Sequence, residues 1–188
     1  MKKIPVIILL ILTLQGCLPA IFVAGAATGV IIYDHRNAKT MFEDRDITFQ
    51  IQHRFDNDKE LRNKAHLSIT TFNHIALLLG QAPNDELRSR AEAIVKSNSK
   101  VKMLYNEVTI EKPISDMARA NDAWITTKVK TILATVPGLN SSSLKIVTEN
   151  KVVYLMGLTT RTQAKLATDK TRTVAGVKKV VKLFEYLN

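Results

Sequence analysis

The sequence predicts an α+β protein made of two copies of one unit, each with the element order αββαβ. Apolar residues four positions apart lie on one face of a helix, and such a stripe occurs once in each half of the chain. Each stripe is followed by two β-rich runs, a second helical pattern and a last strand. The two stripes are Ile47, Ile51 and Phe55, and Ile125, Val129 and Leu133.

The hairpins are the first repeated element after the stripes. Residues 65–82 and 143–159 each contain two β-rich runs around a tight turn that is centred on an asparagine. Each second run ends in a glycine, Gly80 or Gly157, which suggests a backbone conformation or a close approach that a side chain would block. One further strand completes a small three-stranded mixed sheet, with both helices packed on one face.

A second helix and a closing strand follow each hairpin. Asn84 is a favourable N-cap for the helix of the first copy. The helix of the second copy is expected from Thr160 to Gly176, where the glycine ends it. Closing strands are expected at residues 101–110 and 177–187. Each copy has about 70 residues, which is enough for a single small core.

The N-terminus has the pattern of an export signal. Two lysines precede an apolar run from Ile4 to Leu14, and Gly16 stands directly before Cys17, the only cysteine. This arrangement resembles a lipobox, in which the signal is cleaved and the cysteine is lipidated, so we expect a covalent lipid on Cys17. The alternative is an uncleaved membrane helix, because the apolar sequence continues to Tyr33.

Leu18, the residue directly after the cysteine, indicates to which membrane the lipoprotein is sorted. Enterobacterial lipoproteins that stay at the inner membrane commonly carry aspartate there, and Leu18 therefore favours the periplasmic face of the outer membrane.

Pro113 interrupts the periodicity between the two copies and indicates a linker. The predicted segments are a signal peptide at 1–16, a lipidated N-terminus and tether at 17–42, a first domain at 43–111, a linker at 112–120 and a second domain at 121–188.

The repeated unit resembles the BON domain, a bacterial module. The resemblance rests on Leu78-Leu79-Gly80 and Met156-Gly157 after the second strands, and on Gly176-Val177-Lys178-Lys179-Val180 at the last strand. The first copy lacks the glycine before its last strand. Two such domains behind a lipobox resemble the dual BON-domain outer-membrane lipoproteins, over residues 34–188. This resemblance implies a non-enzymatic periplasmic protein with a role in envelope integrity and a location near division sites.

The sequence contains no recognisable catalytic or metal-binding pattern. The histidines at positions 35, 53, 66 and 74 have no other ligand type at metal spacing. The acidic residues of 56–64 lack the glycine and the distal glutamate of an EF-hand loop, so this segment is interpreted as a polar loop. We therefore predict no catalytic residue, no metal site and no cofactor apart from the lipid on Cys17.

The positive charge is concentrated in the second half of the chain. Residues 34–112 contain 13 basic and 12 acidic side chains, whereas residues 113–188 contain 12 and 5. Such an asymmetry indicates an anionic partner for the second domain. A periplasmic lipoprotein does not meet nucleic acid, so we expect an anionic phospholipid membrane instead.

Trp124 indicates where that membrane is bound. A Trp beside a Lys on the flank of a helix suits a lipid headgroup interface. The predicted phospholipid-binding residues are Trp124, Lys128, Thr131, Thr135 and Leu139. The alternative is that Trp124 packs in the core or between the domains. A second hypothesis for function is a scaffold of an envelope assembly complex, whose first domain and linker dock a protein partner.

Overall fold

The computed structural model describes residues 38–187, which belong to one compact unit; Cys17, the predicted signal peptide and residues 17–37 of the predicted tether lie outside them. The described helices include none that is both long and apolar enough to cross a bilayer. The elements are α1 (Ala38–Asn57), α2 (Lys59–Lys64), β1 (His66–Phe72), β2 (Ile75–Ala82), α3 (Asp85–Lys96), β3 (Met103–Asn106), β4 (Thr109–Ile110), α4 (Asp116–Ala134), a 3-10 turn (Ser141–Ser143), β5 (Leu144–Glu149), β6 (Val152–Thr159), α5 (Arg161–Arg172) and β7 (Lys179–Tyr186).

Each domain has one small mixed sheet. In the first domain, β1 and β2 form an antiparallel hairpin, and β3 and β4 both pair in parallel with β2. In the second domain, β5 and β6 form the hairpin and β7 runs parallel to β6. Helices α1 and α3 pack on the first sheet, and α4 and α5 pack on the second. The predicted α+β class with two repeated units is confirmed.

The apolar stripes, the cap at Asn84 and the helix start at Thr160 lie where the sequence predicts them. All six stripe residues are buried in the cores of the two domains. The side chains of Asn84 and Thr160 each accept a hydrogen bond from a backbone amide in the first turn of α3 and α5. Helix α5, however, ends at Arg172 and not at Gly176. The chain leaves the helix there because Val174 turns into the core and Gly176 adopts a φ of +98°.

The closing strand of the first domain is interrupted, although residues 101–110 are predicted as one strand. The backbone amide of Glu107 still donates to the carbonyl oxygen of Leu78, at 2.9 Å. Val108 then turns into the core, and its amide donates to the side chain of Asn106 at 3.2 Å. Burial of this one valine therefore divides the strand into β3 and β4.

The segment 56–64 is not wholly a polar loop, because it contains α2. Asp58 caps this helix by accepting hydrogen bonds from the amides of Glu60 and Leu61. Leu61, the one apolar residue of the segment, is buried in the first core. Asp58 also pairs with Arg90 at 2.7 Å. The carboxylate therefore has a structural role at the start of a helix.

Two helices begin earlier than their apolar stripes. Helix α4 starts at Asp116, inside the predicted linker 112–120, and Ser115 caps it by accepting a hydrogen bond from the amide of Ala118. Helix α1 starts at Ala38, inside the predicted tether. The first turns of both helices bury few side chains, so no apolar periodicity marks them in the sequence.

The two domains share a third apolar cluster. It joins the sheet faces that carry no helices, so the described chain has the layer order helices, sheet, sheet, helices. Its buried members are Phe72, Leu77 and Leu79 of the first domain and Tyr154 and Met156 of the second. The sequence alone left open whether the domains pack together, and the structure places them against each other.

Polar contacts frame this shared core. The side-chain amide of Asn73 donates to the carboxylate of Glu185 at 2.9 Å. The side-chain amide of Gln81 donates to Glu149 at 2.6 Å, while its oxygen accepts from the backbone amide of Ile114 at 3.2 Å. Gln81 therefore connects both domains with the segment between them.

Candidate functional site

The predicted site lies on the side of α4 that faces away from the core. The buried residues of the helix are Asp122, Ile125, Val129 and Leu133. Trp124 is 59% exposed, and Thr131 and Thr135 are exposed as well. The interpretation of Trp124 as a core residue is therefore wrong. A Trp that leaves most of its ring in water has apolar area available for a partner.

An aspartate fixes α4 to the hairpin of its own sheet. The carboxylate of Asp122, which is 4% exposed, accepts hydrogen bonds from the backbone amides of Asn150 at 2.7 Å and Lys151 at 2.9 Å. Both turn residues have positive φ, at 46° and 65°. This contact holds the N-terminal half of α4 beside the hairpin turn, while Trp124, two residues later, lies about 160° away around the helix.

The same contact occurs in the first domain. The carboxylate of Asp44, also 4% exposed, accepts from the amides of Asn73 at 2.7 Å and His74 at 2.8 Å. Asp44 and Asp122 stand at matching places before the two apolar stripes. From the sequence alone, neither aspartate was assigned a role.

Three lysines lie on α4 or beside the hairpin turn that it contacts. Lys128 is half-buried, and its ammonium donates to the carbonyl oxygen of Ala175. Lys151 and Lys178 are exposed, and the amide of Lys178 donates to the carbonyl oxygen of Lys151 at 2.9 Å. The cations thus come from the helix, the hairpin turn and the approach to β7, and only Lys128 was predicted.

Met117 extends the apolar part of the site. It is 80% exposed and stands seven residues before Trp124, which places it on the same side of the helix, about 10 Å away along the axis. Sequence reasoning missed Met117 because the residue falls in the predicted linker. The signal that could have revealed it is Ser115, which reads as an N-cap before Asp116.

The remaining predicted residues lie farther from Trp124. Thr135 is about 16 Å along the helix from Trp124, and its hydroxyl donates to the carbonyl oxygen of Ile132 at 2.9 Å. Leu139 is half-buried and packs against the core of the second domain, so little of its side chain reaches outward. The structure places the exposed apolar area at Met117 and Trp124, not at Leu139.

The two predicted glycines have different roles. They take equivalent places in their hairpins, since Gly80 pairs with Leu67 and Gly157 pairs with Leu144. Gly80 has a φ of +118°, and a Cβ there would overlap the carbonyl oxygen of His66. Gly157 does not have a positive φ; a Cβ there would meet Cδ2 of Leu144 at 2.7 Å. Gly80 therefore combines the special backbone conformation with a close approach, whereas Gly157 shows only the close approach.

The described histidines have structural surroundings. His74 bonds Glu43 at 2.9 Å, and His53 bonds Asn57 at 3.0 Å. Burial and the nearby Arg119 guanidinium lower the pKa of His66. Among residues 38–187 there is no group of three or more His, Cys, Asp or Glu side chains that could hold a metal ion.

Comparison with known proteins extends these findings. A family model of the BON domain matches residues 43–112 and 121–188. The outer membrane lipoprotein DolP of Haemophilus influenzae is 31% identical over 188 residues, which make up all of this chain and 97% of DolP. The 21 kDa hemolysin of Actinobacillus pleuropneumoniae is 30% identical over 82% of this chain and 79% of its own.

Among solved structures, CdsD, a structural protein of the type III secretion system of Chlamydia trachomatis, aligns with a TM-score of 0.31 and 12% identity. That alignment covers 77% of this chain and 63% of CdsD, and so weak a likeness carries no argument. The full-length similarity to DolP confirms the predicted location of a lipoprotein at the outer membrane. Because the family model matches both repeated units, the protein belongs to the BON domain family.

Proposed function

We propose that this protein is a non-enzymatic periplasmic lipoprotein whose second BON domain binds anionic phospholipid. The binding site is the α4 surface, which consists of Met117, Trp124, Lys128, Thr131 and Thr135 together with Lys151 and Lys178. Leu139 marks its far end. A covalent lipid on Cys17 anchors the chain, and binding through the second domain supports the integrity of the envelope, including at division sites.

The observation that carries the proposal is the exposure of Trp124 on the same side of α4 as Lys128, with the exposed Lys151 and Lys178 at the adjoining hairpin turn. Each basic residue near an anionic bilayer contributes about 1 kcal/mol of attraction, which salt screens over about 10 Å at 0.1 M. Insertion of Trp124 and Met117 contributes through apolar area that leaves water, and salt does not screen this contribution. The two contributions can therefore be separated by experiment.

Co-sedimentation with vesicles tests the site. A fragment of residues 32–188 keeps every described residue of the three apolar clusters, and it is mixed with vesicles with and without phosphatidylglycerol. We expect binding only to the anionic vesicles. Trp124→Glu should abolish this binding while the fragment remains folded, since Trp124 is exposed. Lys128→Glu should weaken it mainly at low salt.

Phe49→Glu is the matched control. Phe49 is 69% exposed on α1 of the first domain, so the change removes an exposed aromatic ring and adds the same charge. Vesicle binding should be unaffected. If the folded Trp124→Glu fragment binds like the unchanged fragment, or if neither vesicle is bound, the proposal fails and the scaffold hypothesis is favoured. Loss of palmitate labelling in Cys17→Ser tests the anchor separately.

A further inference from the structure

A groove lies between the first and second domains, on a side of α4 other than the α4 surface. It encloses about 400 Å³, within the usual range of small-molecule sites. Lys130, which lines it, stands six residues after Trp124 and is therefore about 120° around the helix from it. Both domains line it, the first with Asp44 and Arg45 among others and the second with Lys130 and Lys145.

The charge of the groove is positive. Arg45, Lys130 and Lys145 line it, and Asp44 is its one carboxylate among the described residues. Asp44 already accepts hydrogen bonds from two turn amides. Arg45 and Lys130 are exposed, and neither pairs with a carboxylate anywhere in residues 38–187. Lys145 is held at the wall, where its ammonium donates to the carbonyl oxygen of Thr71 at 3.0 Å.

Hydroxyl groups and apolar side chains complete the lining. Thr48 donates to Thr71 at 3.0 Å, so a hydroxyl pair lies at the wall of the groove, with Thr48 the more exposed of the two. Met41, Phe72 and Leu144 add apolar area beside these polar groups. A cationic wall next to an apolar one suits a ligand with an anionic group and a short apolar part.

We propose that this groove is a binding site for a phosphate-type anion. Lysine and arginine form charge-assisted hydrogen bonds to phosphate oxygens, and such bonds are roughly twice as strong as neutral ones. Three cations from both domains converge on one groove, so an anion there relieves their mutual repulsion and contacts both domains at once. The ligand is either a phospholipid headgroup or a free phosphate, which share this chemistry.

NMR titration of the fragment of residues 32–188 tests the site. The probes are inorganic phosphate and dihexanoyl-phosphatidylglycerol, the latter kept below its micelle concentration. We expect the chemical shifts of the backbone amides of Thr48, Thr71 and Ser142 to change and to reach saturation as the ligand concentration rises. Tighter binding of the lipid identifies a headgroup with an apolar contact, and equal affinity identifies free phosphate; either outcome supports the site.

Matched variants separate this site from general charge and from the α4 surface. The double variant Arg45→Gln/Lys130→Gln should weaken binding by about tenfold or more, because two of three charge-assisted contacts are lost. Lys112→Gln/Lys170→Gln removes the same charge from exposed positions outside the groove and should leave affinity unchanged, as should Trp124→Glu. Absence of saturable shifts with both probes, or equal losses in the two double variants, overturns the proposal.

Discussion

At the scale of single residues, the two buried aspartates connect a helix to a hairpin turn in each domain. The turn residues Asn73, His74, Asn150 and Lys151 all have positive φ, which costs energy for residues other than glycine. A carboxylate that accepts two backbone hydrogen bonds offsets this cost, since bonds to a charged acceptor are stronger than neutral ones. Asp122 therefore adds to the packing of the apolar stripe in holding α4 against its sheet.

Replacing that side chain tests the contact. Asp122→Ala leaves two turn amides without their acceptor, and each unsatisfied buried donor costs about 1–3 kcal/mol. We expect the free energy of unfolding to fall by about 2–3 kcal/mol in urea titrations. Asn121→Ala, at the exposed neighbouring position, should change it by less than about 0.5 kcal/mol. Equal effects of the two substitutions would contradict this role.

The two strand glycines should respond differently to an added methyl group. Gly80→Ala places a Cβ against a backbone carbonyl at a positive φ, so the loss of stability should exceed about 2 kcal/mol. Gly157→Ala meets the end of the Leu144 side chain, which can move, and the carbonyl oxygen of Ser143 at 3.0 Å, so a smaller loss of about 1–2 kcal/mol is expected. Thermal unfolding of both variants measures the difference, and a larger loss for Gly157→Ala would refute the distinction.

At the scale of elements, the parts that follow local patterns could be predicted from the sequence. The apolar stripes, the hairpins and the caps at Asn84 and Thr160 are examples. The start of α4 could not be predicted, because its first turns bury few side chains and Pro113 interrupts the apolar pattern before them. Trp124 and Lys128 could be predicted from one helix, but the position of Lys151 and Lys178 at the turn beside α4 depends on tertiary contacts.

The start of α4 depends on its N-cap. Ser115 accepts a hydrogen bond from the amide of Ala118, and removal of such a cap costs about 1 kcal/mol. Ser115→Ala should therefore speed hydrogen exchange of the first-turn amides, and should weaken vesicle binding because Met117 is no longer held. Ser115→Asp preserves the cap and should behave like the unchanged protein. Unaltered exchange in Ser115→Ala would show that tertiary contacts alone hold this turn.

At the scale of the whole molecule, the shared core makes the two domains one body. Strands β2 and β6 contain nearly continuous apolar runs, which are typical of strands buried on both faces. These apolar runs are visible in the sequence, but the sequence does not show which part of the chain packs against the second face of each strand. The contact between Gln81 and Glu149 lies at the edge of this core and makes the stability of the folded protein depend on pH.

Burial raises the pKa of the Glu149 carboxyl above its ordinary value, while the hydrogen bond from Gln81 opposes the shift and the nearby Asp122 adds to it. The folded protein therefore binds this proton more tightly than the unfolded chain, and the ionised form destabilises the fold as pH rises above about 4.5. Glu149→Gln retains the acceptor for Gln81. It should raise the melting temperature at about pH 7, with no gain at about pH 4.

The control for this prediction is Glu86→Gln, an exposed position in the first turn of α3. This change should give no gain in melting temperature at either pH, because no burial penalty is removed. If Glu149→Gln raises the melting temperature at both pH values, packing of the amide accounts for the effect, and ionisation does not.

The shared core also has a consequence for the order of folding. The first domain can close its own core from residues up to Ile110, but the sheet that covers Phe72, Leu77 and Leu79 is completed only with β7. When the first domain folds before the second, its apolar strand face is exposed to water. A face of this kind is prone to aggregation until the second sheet covers it.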